Sequence, residues 1–399
     1  MKVLLINGYI SEKDKEYLYS NTKGDFQFAA EVYQEKLIKG LKNRLGNNFY
    51  SLSAPFINPY PQGFKKIKYK GFQINNNEKY ISFFNLWGIR NISRKNNLIK
   101  KSKFFLDIND DNKYVIVYSP HVPLLETAVY LKKKDPKIKI ILLLSDLPQF
   151  ISLSNNRRII YSILKKYDIH KFYKLSKKFD SYILLTKYMN EFVNKEYKKK
   201  YIVIEGISNN EQLKNDNNLK NKKTIITYTG TLHKKFGVQF LVDTFTKIKD
   251  NNFQLNICGY GDSVDYIKNI ALKDKRINYL GQITNKESLE LQQKSNILIN
   301  PRRNDMAFTK YSFPSKNMEY LATGIPVIAY KLDGIPDEYD DILFYPKDDS
   351  KEALKEKIIE VANLTEEEKQ QLKKKTIKLL KNKDIEATAD KIISFLEGV

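Results

Sequence analysis

The sequence predicts an α/β protein of two consecutive domains, each with a parallel sheet covered by helices on both faces. Its 399 residues suffice for two domains of ordinary size. Short, continuous apolar runs alternate with segments of helical periodicity, a pattern typical of buried parallel strands. This pattern stops at a polar, Asn-rich segment and then starts again. We therefore expect an N-terminal domain over 1–206, a linker over 207–223, a second domain over 224–380, and a helix within 381–399 that packs back on the first domain.

The elements of the first domain follow from apolar runs and from apolar residues at helical spacing. The polar segment 11–25 is predicted to be a loop. The expected strands are Lys2–Ile6, Tyr114–Tyr118, Lys139–Leu144, Ser181–Thr186 and Tyr201–Ile204, and the expected helices are Phe26–Leu41, a helix ending near Lys134, a helix pair within Arg157–Lys178, and Tyr188–Tyr197.

The second domain repeats the same alternation, so both domains are expected to be Rossmann-like. Sheets of this kind bind ligands beyond the carboxyl ends of their strands. The expected strands are Thr224–Tyr228, Phe253–Ile257, Ile277–Leu280, Ile297–Asn300 and Val327–Ala329, and the expected helices include Val238–Ile248, Ser315–Ala322 and a helical region from Lys351.

The positive charge is concentrated in the first half of the chain. Residues 1–200 contain 38 basic and 17 acidic residues, whereas residues 201–399 contain 31 and 29. A compositional bias towards lysine should affect both halves, so we expect a first domain that faces an anionic membrane or an anionic ligand. Apolar and basic residues alternate over Ile89–Phe105, which is typical either of an amphipathic helix at a membrane surface or of a solvated helix that packs on its own domain.

Several classes of protein are disfavoured by composition. The single cysteine, Cys258, excludes an internal disulfide and fits a reducing compartment. The sequence has no apolar run of about 20 residues, so no transmembrane helix is expected. No metal-ligand spacing and no nucleic-acid-binding module is recognisable, so we expect neither a metal cofactor nor a nucleic-acid partner.

The stretch Tyr311–Pro326 carries residues suited to a phosphorylated ligand. Pro314, Ser315 and Lys316 predict a helix start, where free N–H groups and a partial positive charge favour phosphate. Glu319 follows about one turn later on the same face, where a carboxylate suits two adjacent hydroxyl groups.

Six motifs of the second domain occur in a recognisable order, although each alone is weak evidence. They are Tyr228–Val238, Ile257–Asp262, Leu280-Gly281, Leu298–Arg302, Phe313–Gly324 and Gly334–Pro336. Together they resemble retaining glycosyltransferases of family 4, which have the GT-B fold with two Rossmann-like domains and a cleft between them. The resemblance is strong over 224–346, moderate over 114–206 and weak over 50–110. A Ser-Phe-Pro-Ser-Lys block like that at 312–316 is similar to one in bacterial transferases for capsule and exopolysaccharide.

The resemblance implies that the second domain binds a nucleoside-diphosphate sugar as substrate. Glu319 would then hold the ribose, the backbone at Ser315 and Lys316 would meet the distal phosphate, and Lys234, Lys235 or Arg302 would balance charge. The implied donor-binding set is Gly230, Thr231, Lys235, Gly259, Arg302, Tyr311, Pro314, Ser315, Lys316 and Glu319.

Three positions depart from the family pattern. Tyr311 stands where the first of two glutamates is usual, Thr231 where an Arg is usual, and Phe236 where a Lys is usual. We interpret these departures as a variant active site, but they leave open a non-catalytic partner subunit that binds nucleotide or acceptor.

His121 and Asp146 are the catalytic candidates of the first domain, because each follows a predicted strand on the ligand side of the sheet. The family often places a His near the transferred sugar at such a position; a structural histidine is the alternative. The resemblance implies no protein nucleophile, since the leaving phosphate is thought to help deprotonate the acceptor.

The sequence thus predicts a cytoplasmic hexosyltransferase, peripheral on the inner face of the cell membrane. It would transfer a sugar from a UDP- or GDP-linked donor to a glycan, lipid-linked acceptor in surface polysaccharide synthesis. Closure about the linker would bring the domains together and exclude water. A nucleotide-sugar epimerase, which can share this fold, is the less favoured alternative.

Overall fold

The computed structural model describes residues 1–22, 28–150, 159–210 and 223–399 and divides the chain into two compact units. Unit 1 comprises Met1–Ile207 and Ile385–Val399, and unit 2 comprises Ser208–Asp384. Parts of four predicted segments lie outside the described residues: 23–25 of the loop, 26–27 of the first predicted helix, 157–158 of the predicted helix pair, and 211–222 of the linker.

Unit 1 is built on a parallel sheet of seven strands among its described residues. The strands are β1 (Lys2–Asn7), β2 (Phe49–Ser53), β4 (Glu78–Tyr80), β6 (Lys113–Tyr118), β7 (Lys139–Leu144), β8 (Ser181–Leu184) and β9 (Tyr201–Val203), while β3 (Lys68–Tyr69) and β5 (Phe83–Phe84) form a separate antiparallel pair. The order across the sheet is β4-β2-β1-β6-β7-β8-β9, so the strand order reverses between β1 and β6.

The helices of unit 1 differ from expectation in three places. The polar segment 11–25 contains a helix, because Ser11 accepts a hydrogen bond from the Asp14 N–H and caps its start. The predicted helix pair is one continuous helix in its described part, and the helix expected at Tyr188–Tyr197 is a single short turn. The helices are α1 (Glu12–Ser20), α2 (Phe28–Leu45), α3 (Arg90–Ser102), α4 (Val122–Lys134), α5 (Ile159–Ser176) and α6 (Asn190–Val193).

Helix α3, the basic helix of the first half, packs on its own unit. Its inward face buries Arg94, Leu98 and Ser102, and the helix lies against α4. Around its start, however, Trp87, Ile89 and Ile92 are more than 45% exposed. The helix therefore combines a packed face with an exposed apolar edge.

Unit 2 contains a six-stranded parallel sheet in its described residues. The strands are β10 (Thr224–Thr229), β11 (Phe253–Cys258), β12 (Ile277–Tyr279), β13 (Ile297–Asn300), β14 (Val327–Ala329) and β15 (Leu343–Phe344), and the helices are α7 (Val238–Phe245), α8 (Val264–Lys273), α9 (Asn285–Gln293), α10 (Ser315–Leu321), α11 (Lys351–Ala362) and α12 (Glu366–Lys381). The order β12-β11-β10-β13-β14-β15 is that of a Rossmann sheet, with its reversal between β10 and β13. Separate apolar cores cover its two faces.

The last helix, α13 (Ile385–Glu397), belongs to unit 1 and packs against α2. Ile392 and Leu396 of α13 join Leu37 and Leu41 of α2 in the core of unit 1. A Cβ at Gly40 would lie 2.6 Å from the Ile385 carbonyl oxygen, so α2 needs glycine at this close approach. The chain thus returns to its first unit after completing the second.

Candidate functional site

In unit 2, most of the sequence-predicted site residues lie where the strand order reverses. Parallel strands bring their carboxyl ends to one edge of a sheet, and the loops after β10 and β13 flank the crevice at the reversal. Gly230 and Thr231 directly follow β10, Gly259 directly follows β11, and Arg302 follows β13 by two residues. The topology therefore gathers three predicted motifs at one edge.

Two glycines let the loops after β10 and β11 approach each other. Gly230 and Gly259 have φ values of 147° and 137°, a region that side chains rarely adopt. A Cβ on Gly259 would lie 1.7 Å from the Gly230 carbonyl oxygen, and one on Gly230 would lie 3.2 Å from the Cε atom of Lys316. The glycine loop after β10 thus packs directly beside α10.

Lys316, Glu319 and Gln292 form a linked polar cluster beside that loop. The Lys316 Nζ lies 2.8 Å and 2.9 Å from the two carboxylate oxygens of Glu319. Gln292, which is buried on α9, donates to Glu319 Oε1 at 2.6 Å and bonds the Thr229 hydroxyl at 2.9 Å. The Glu319 side chain remains 41% exposed, so its carboxylate is held by Lys316 and Gln292 and is still accessible to solvent.

Helix α10 is fixed to β10 by Tyr320. The Thr229 N–H donates to the Tyr320 hydroxyl at 2.8 Å, and that hydroxyl donates to the Thr229 carbonyl at 3.0 Å. A second buried contact joins the Asn300 amide to Asn317 at 2.6 Å. These contacts hold α10 at the ends of β10 and β13, where Glu319 and Lys316 are presented together.

Two further predicted cations meet around one aromatic ring. The Arg302 guanidinium lies 5.8 Å from the centre of the Phe236 ring, and the Lys235 ammonium lies 5.1 Å from it. Arg302 also donates to the Ser312 hydroxyl at 2.8 Å and lies 4.6 Å from the Phe308 ring. Phe236, which replaces the usual Lys, therefore supports the two basic groups.

The remaining predicted residues of unit 2 are spread around this edge. The Thr231 carbonyl accepts a hydrogen bond from the Tyr228 hydroxyl at 2.9 Å. Pro314 is the residue before α10, and Ser315 is its exposed first residue. Tyr311 ends a short 3₁₀ segment and lines a shallow groove together with Lys310, Asn304, Asp305 and Asp333.

In unit 1, His121 also lies at the reversal of the strand order, directly before α4. Its ring stacks on Phe56 with centroids 4.3 Å apart. Phe56 packs over Gly8, where a Cβ would lie 2.3 Å from the ring. Burial lowers the pKa of His121 to about 3, and the charges of Arg94 and Arg90 contribute to this shift. His121 is therefore a neutral imidazole at physiological pH.

The backbone beside His121 is strained. Ser119, the first residue after β6, has a φ of 81°, a left-handed conformation that is uncommon for residues other than glycine. Its N–H donates to the Leu143 carbonyl at 2.9 Å, which fixes the turn. Strain of this kind accumulates at functional sites, where the surrounding structure maintains it.

Asp146 follows β7 after one residue and is exposed. Its charge acts on the buried Tyr118, whose pKa is raised well above the ordinary value by burial, with the Asp146 charge contributing. An interaction with the Ser145 side chain partly offsets this rise in the Tyr118 pKa. Because β6 and β7 are neighbours, His121 and Asp146 both follow adjacent strands at one edge of the sheet.

The loop after β1 completes this edge of unit 1. Glu31 and Gln34 of α2 accept hydrogen bonds from the Ile10 and Gly8 N–H groups at 2.8 Å and 3.0 Å. Burial raises the pKa of Glu31 to about 7. These backbone donors are therefore bound by side chains of α2.

Two negative observations apply to the described residues. Within 1–22, 28–150, 159–210 and 223–399, no group of three or more His, Cys, Asp or Glu side chains is arranged to hold a metal ion. In the same ranges, no helix combines the length and the apolar character that crossing a membrane requires.

Sequence reasoning missed the residues that act through distant contacts. Gln292 is one of several polar residues on α9, and nothing in the sequence distinguishes it from a solvated glutamine. In the sequence, Arg94 cannot be distinguished from the other basic residues of α3, which would be expected at the surface, yet it is 2% exposed. Phe56 lies in the region 50–110, where no motif was recognised.

Residues 209–379 match the family model described as Glycosyl transferases group 1. The match indicates a glycosyltransferase. No curated protein matches the sequence.

Solved structures resemble the whole chain in fold. A sucrose-phosphate synthase from Thermosynechococcus elongatus has a TM-score of 0.64 and 13% identity, with 100% of this chain and 99% of that chain covered. Anabaena HepE in complex with UDP has a TM-score of 0.63 and 12% identity, with 100% of both chains covered. The lipopolysaccharide outer core galactosyltransferase WaaB has a TM-score of 0.62 and 14% identity, with 100% and 99% covered. The predicted two-domain, Rossmann-like GT-B fold is therefore confirmed.

Proposed function

We propose that the protein is a retaining glycosyltransferase, of the family 4 type found in bacterial capsule and exopolysaccharide synthesis. It would move a hexosyl group from a nucleoside-diphosphate sugar to a lipid-linked glycan. The similarity of residues 209–379 to group 1 glycosyltransferases supports the donor class. Structural neighbours described as a complex with UDP and as a lipopolysaccharide galactosyltransferase support the chemistry by analogy.

The single observation that carries this proposal is the cluster of Lys316, Glu319 and Gln292 beside the glycine loop after β10. A carboxylate that two side chains hold in place and that remains exposed to solvent can accept hydrogen bonds from the two hydroxyl groups of a ribose. Gly230 and Gly259 let the loops after β10 and β11 lie against each other beside α10, so that backbone, Lys316 and Glu319 are close together at this edge. Lys316, Lys235 and Arg302 are the cations proposed to balance the diphosphate.

In the proposed reaction, the bond between the sugar C1 and the diphosphate oxygen breaks, and the acceptor oxygen bonds to C1 on the same face. The acceptor proton passes to an oxygen of the departing diphosphate, so no protein nucleophile is required. His121 and Asp146 are proposed to contact the reacting sugars. A neutral His121 can donate one hydrogen bond and accept another, which suits a sugar hydroxyl.

We further propose that unit 1 contacts the inner face of an anionic membrane, where a lipid-linked acceptor would be found. The exposed Trp87, Ile89 and Ile92 at the start of α3 support this proposal. The surplus of basic residues in 1–200 supports it as well, because anionic lipids attract basic surfaces. The enzyme would then be a peripheral cytoplasmic protein.

The test is nucleotide release from a panel of UDP- and GDP-sugars, with a short prenyl-diphosphate-linked sugar as acceptor. We expect turnover with at least one donor, and a product whose NMR coupling constant reports the same anomeric configuration as the donor. Glu319→Ala should lower kcat/KM about 100-fold, through the loss of hydrogen bonds to a charged group.

Glu290→Ala, which removes an exposed carboxylate from the neighbouring helix α9, is the matched control and should retain activity. Nucleotide binding without turnover for any donor would support the alternative of a non-catalytic partner subunit. The absence of both turnover and any nucleotide-dependent thermal shift would contradict the proposed function.

A further inference from the structure

Arg94 of unit 1 is a buried cation that pairs with no carboxylate of the described residues. Its side chain is 2% exposed, and one guanidinium nitrogen donates to the Pro55 carbonyl. The guanidinium packs 4.3 Å from the centre of the Phe83 ring, and its buried Nε has no hydrogen-bond partner among the described residues. Burial and the charge of Arg90 lower the pKa of Arg94, but a guanidinium stays protonated at neutral pH.

A buried charge of this kind is expensive to maintain. Removing a cation from water costs several kcal/mol, on the order of what one buried ion pair recovers. A carbonyl group and an aromatic face recover only part of that cost. The buried charge and the Nε that has no partner among the described residues therefore point to an anion from outside the protein.

Arg90, Arg94 and the start of α4 together bring positive charge close to the His121 ring. Arg90 lies one turn earlier on α3, is partly exposed, and donates to the Ile57 carbonyl at 3.0 Å. Arg94 and Arg90 thus bond the carbonyl groups of Pro55 and Ile57, the residues on either side of the Phe56 that stacks on His121, so both lie near that ring. The 13-residue helix α4, whose N-cap residue is His121, has no acidic residue in its first turn, so its dipole adds to the field.

Two carboxylates lie near this surface. Asp168 of α5 interacts with Arg90, and burial raises the pKa of its carboxyl group. Glu126 of α4 is engaged by Lys171 at 2.8 Å. At the His121 ring itself, the described neighbours that act on its charge are the two arginines.

We propose that Arg90 and Arg94, together with the N-terminal end of α4, form a site in unit 1 that binds the phosphate or diphosphate group of the acceptor beside His121. Arg90, at the surface, makes the direct contact, and Arg94 supplies a second charge beneath it. The term acceptor rests on the proposed function, whereas the anion site itself stands on unit 1 alone. The phosphate could belong to a soluble sugar phosphate or to a prenyl diphosphate, and the test separates these sources.

The experiment uses the full chain labelled with [¹³Cε1]histidine. The sequence contains three histidines, His121, His170 and His233, and His121→Gln assigns the reporter signal. Inorganic pyrophosphate, glucose 6-phosphate and farnesyl diphosphate are titrated separately. We expect a saturable shift of the His121 signal with pyrophosphate and with the probe that matches the true acceptor.

Arg90→Gln removes the direct charge-assisted contact and Arg94→Leu removes the charge beneath it, so each should weaken this binding about 10-fold or more. Arg90 is the safer substitution because it is partly exposed, so an unfolded Arg94→Leu variant would not prevent the test. Lys100→Gln, on the exposed far turn of α3, is the matched control and should bind as wild type does.

Glu319→Ala separates this inference from the proposed function. It alters unit 2 and should leave the His121 titration unchanged, even if the donor site proves not to exist. An unmoved His121 signal with all three probes, unchanged affinity in both arginine variants, or a shift confined to His233 of unit 2 would overturn the proposed site. A larger shift of the His121 signal with farnesyl diphosphate would assign a lipid-linked acceptor. A larger shift with glucose 6-phosphate would assign a soluble acceptor.

Discussion

Glu319 shows how single residues prepare the candidate site. Lys316, three residues earlier on the same helix, and Gln292, on α9, both donate hydrogen bonds to its carboxylate. Such supporting contacts fix a side chain before ligand binding and so reduce the entropy that binding would cost. A carboxylate with these supports is better suited to recognition than one free in solvent.

Glu31 carries a prediction at the residue scale. Its side chain is 5% exposed, and burial raises its pKa to about 7, above its ordinary value of 4.5. The folded state therefore keeps a proton that the unfolded state releases, so the free energy of unfolding should fall as pH rises from about 4.5 to about 7. Glu31→Gln keeps an acceptor for the Ile10 N–H and removes the titration.

We expect Glu31→Gln to be more stable than wild type at pH 8 by about 1–3 kcal/mol, and to show little difference at pH 4.5. The single tryptophan, Trp87, lies in unit 1, so its fluorescence during urea unfolding reports on the correct unit. Glu16→Gln, at an exposed position of α1 whose charge is not among those that shift the Glu31 pKa, is the control. Parallel pH profiles for wild type and Glu31→Gln would show that the prediction is wrong.

At the scale of elements, the attachment of α10 to β10 sets the geometry of the site. Tyr320 both accepts from and donates to the backbone of Thr229, and its side chain is completely buried. Tyr320→Phe would leave the Thr229 N–H without that partner inside the protein. An unsatisfied buried backbone group costs about 1–3 kcal/mol.

We therefore expect Tyr320→Phe to lower the stability of unit 2 by about that amount, measured by hydrogen exchange at β10. Tyr330→Phe provides the matched control, since the buried Tyr330 hydroxyl has no hydrogen-bond partner in the described part of the chain. Its removal should be neutral or stabilising. Equal losses in the two variants would contradict the role assigned to the Tyr320 hydroxyl.

The elements could be predicted from sequence where burial dictates the pattern. Strands such as Lys139–Leu144 read as continuous apolar runs because both faces of the sheet are covered. Helix α1 was missed because it buries only Leu18 and otherwise looks like a polar loop. Its capping pattern at Ser11 and Asp14 was the available signal.

The site could be predicted only where a local motif carries it. Gly230, Lys316 and Glu319 lie in stretches that have a recognisable order, and the structure brings these three together. Gln292 could not be found in this way, because its contact with Thr229 spans 63 residues of chain. The stacking of Phe56 on His121 is equally a product of tertiary packing.

At the scale of the whole molecule, the charge asymmetry and the exposed apolar residues of unit 1 lead to a prediction about membranes. Trp87 and Ile92 are 55% and 57% exposed. Insertion of such side chains into a lipid interface adds to the electrostatic attraction of the basic surface. We expect the protein to sediment with vesicles containing phosphatidylglycerol and to do so less with pure phosphatidylcholine.

The double substitution Trp87→Ser and Ile92→Ser should weaken vesicle binding about 10-fold or more, because apolar area is no longer buried. Leu272→Ser is the control, since Leu272 is 69% exposed but lies in unit 2. Unchanged binding of the double variant would contradict the membrane contact proposed for this edge.

The central claim is that unit 2 binds a nucleotide through Glu319, and calorimetric titration with UDP and GDP tests it most directly. We expect one of the two to bind, and its 2′-deoxy analogue to bind about 10-fold or more weakly, because Glu319 would lose a hydrogen-bonded hydroxyl. In Glu319→Ala the affinity should fall and the preference for ribose should disappear, while Glu290→Ala should behave as wild type does. If neither nucleotide binds the wild-type protein, or if Glu319→Ala still discriminates ribose from deoxyribose, the account is contradicted.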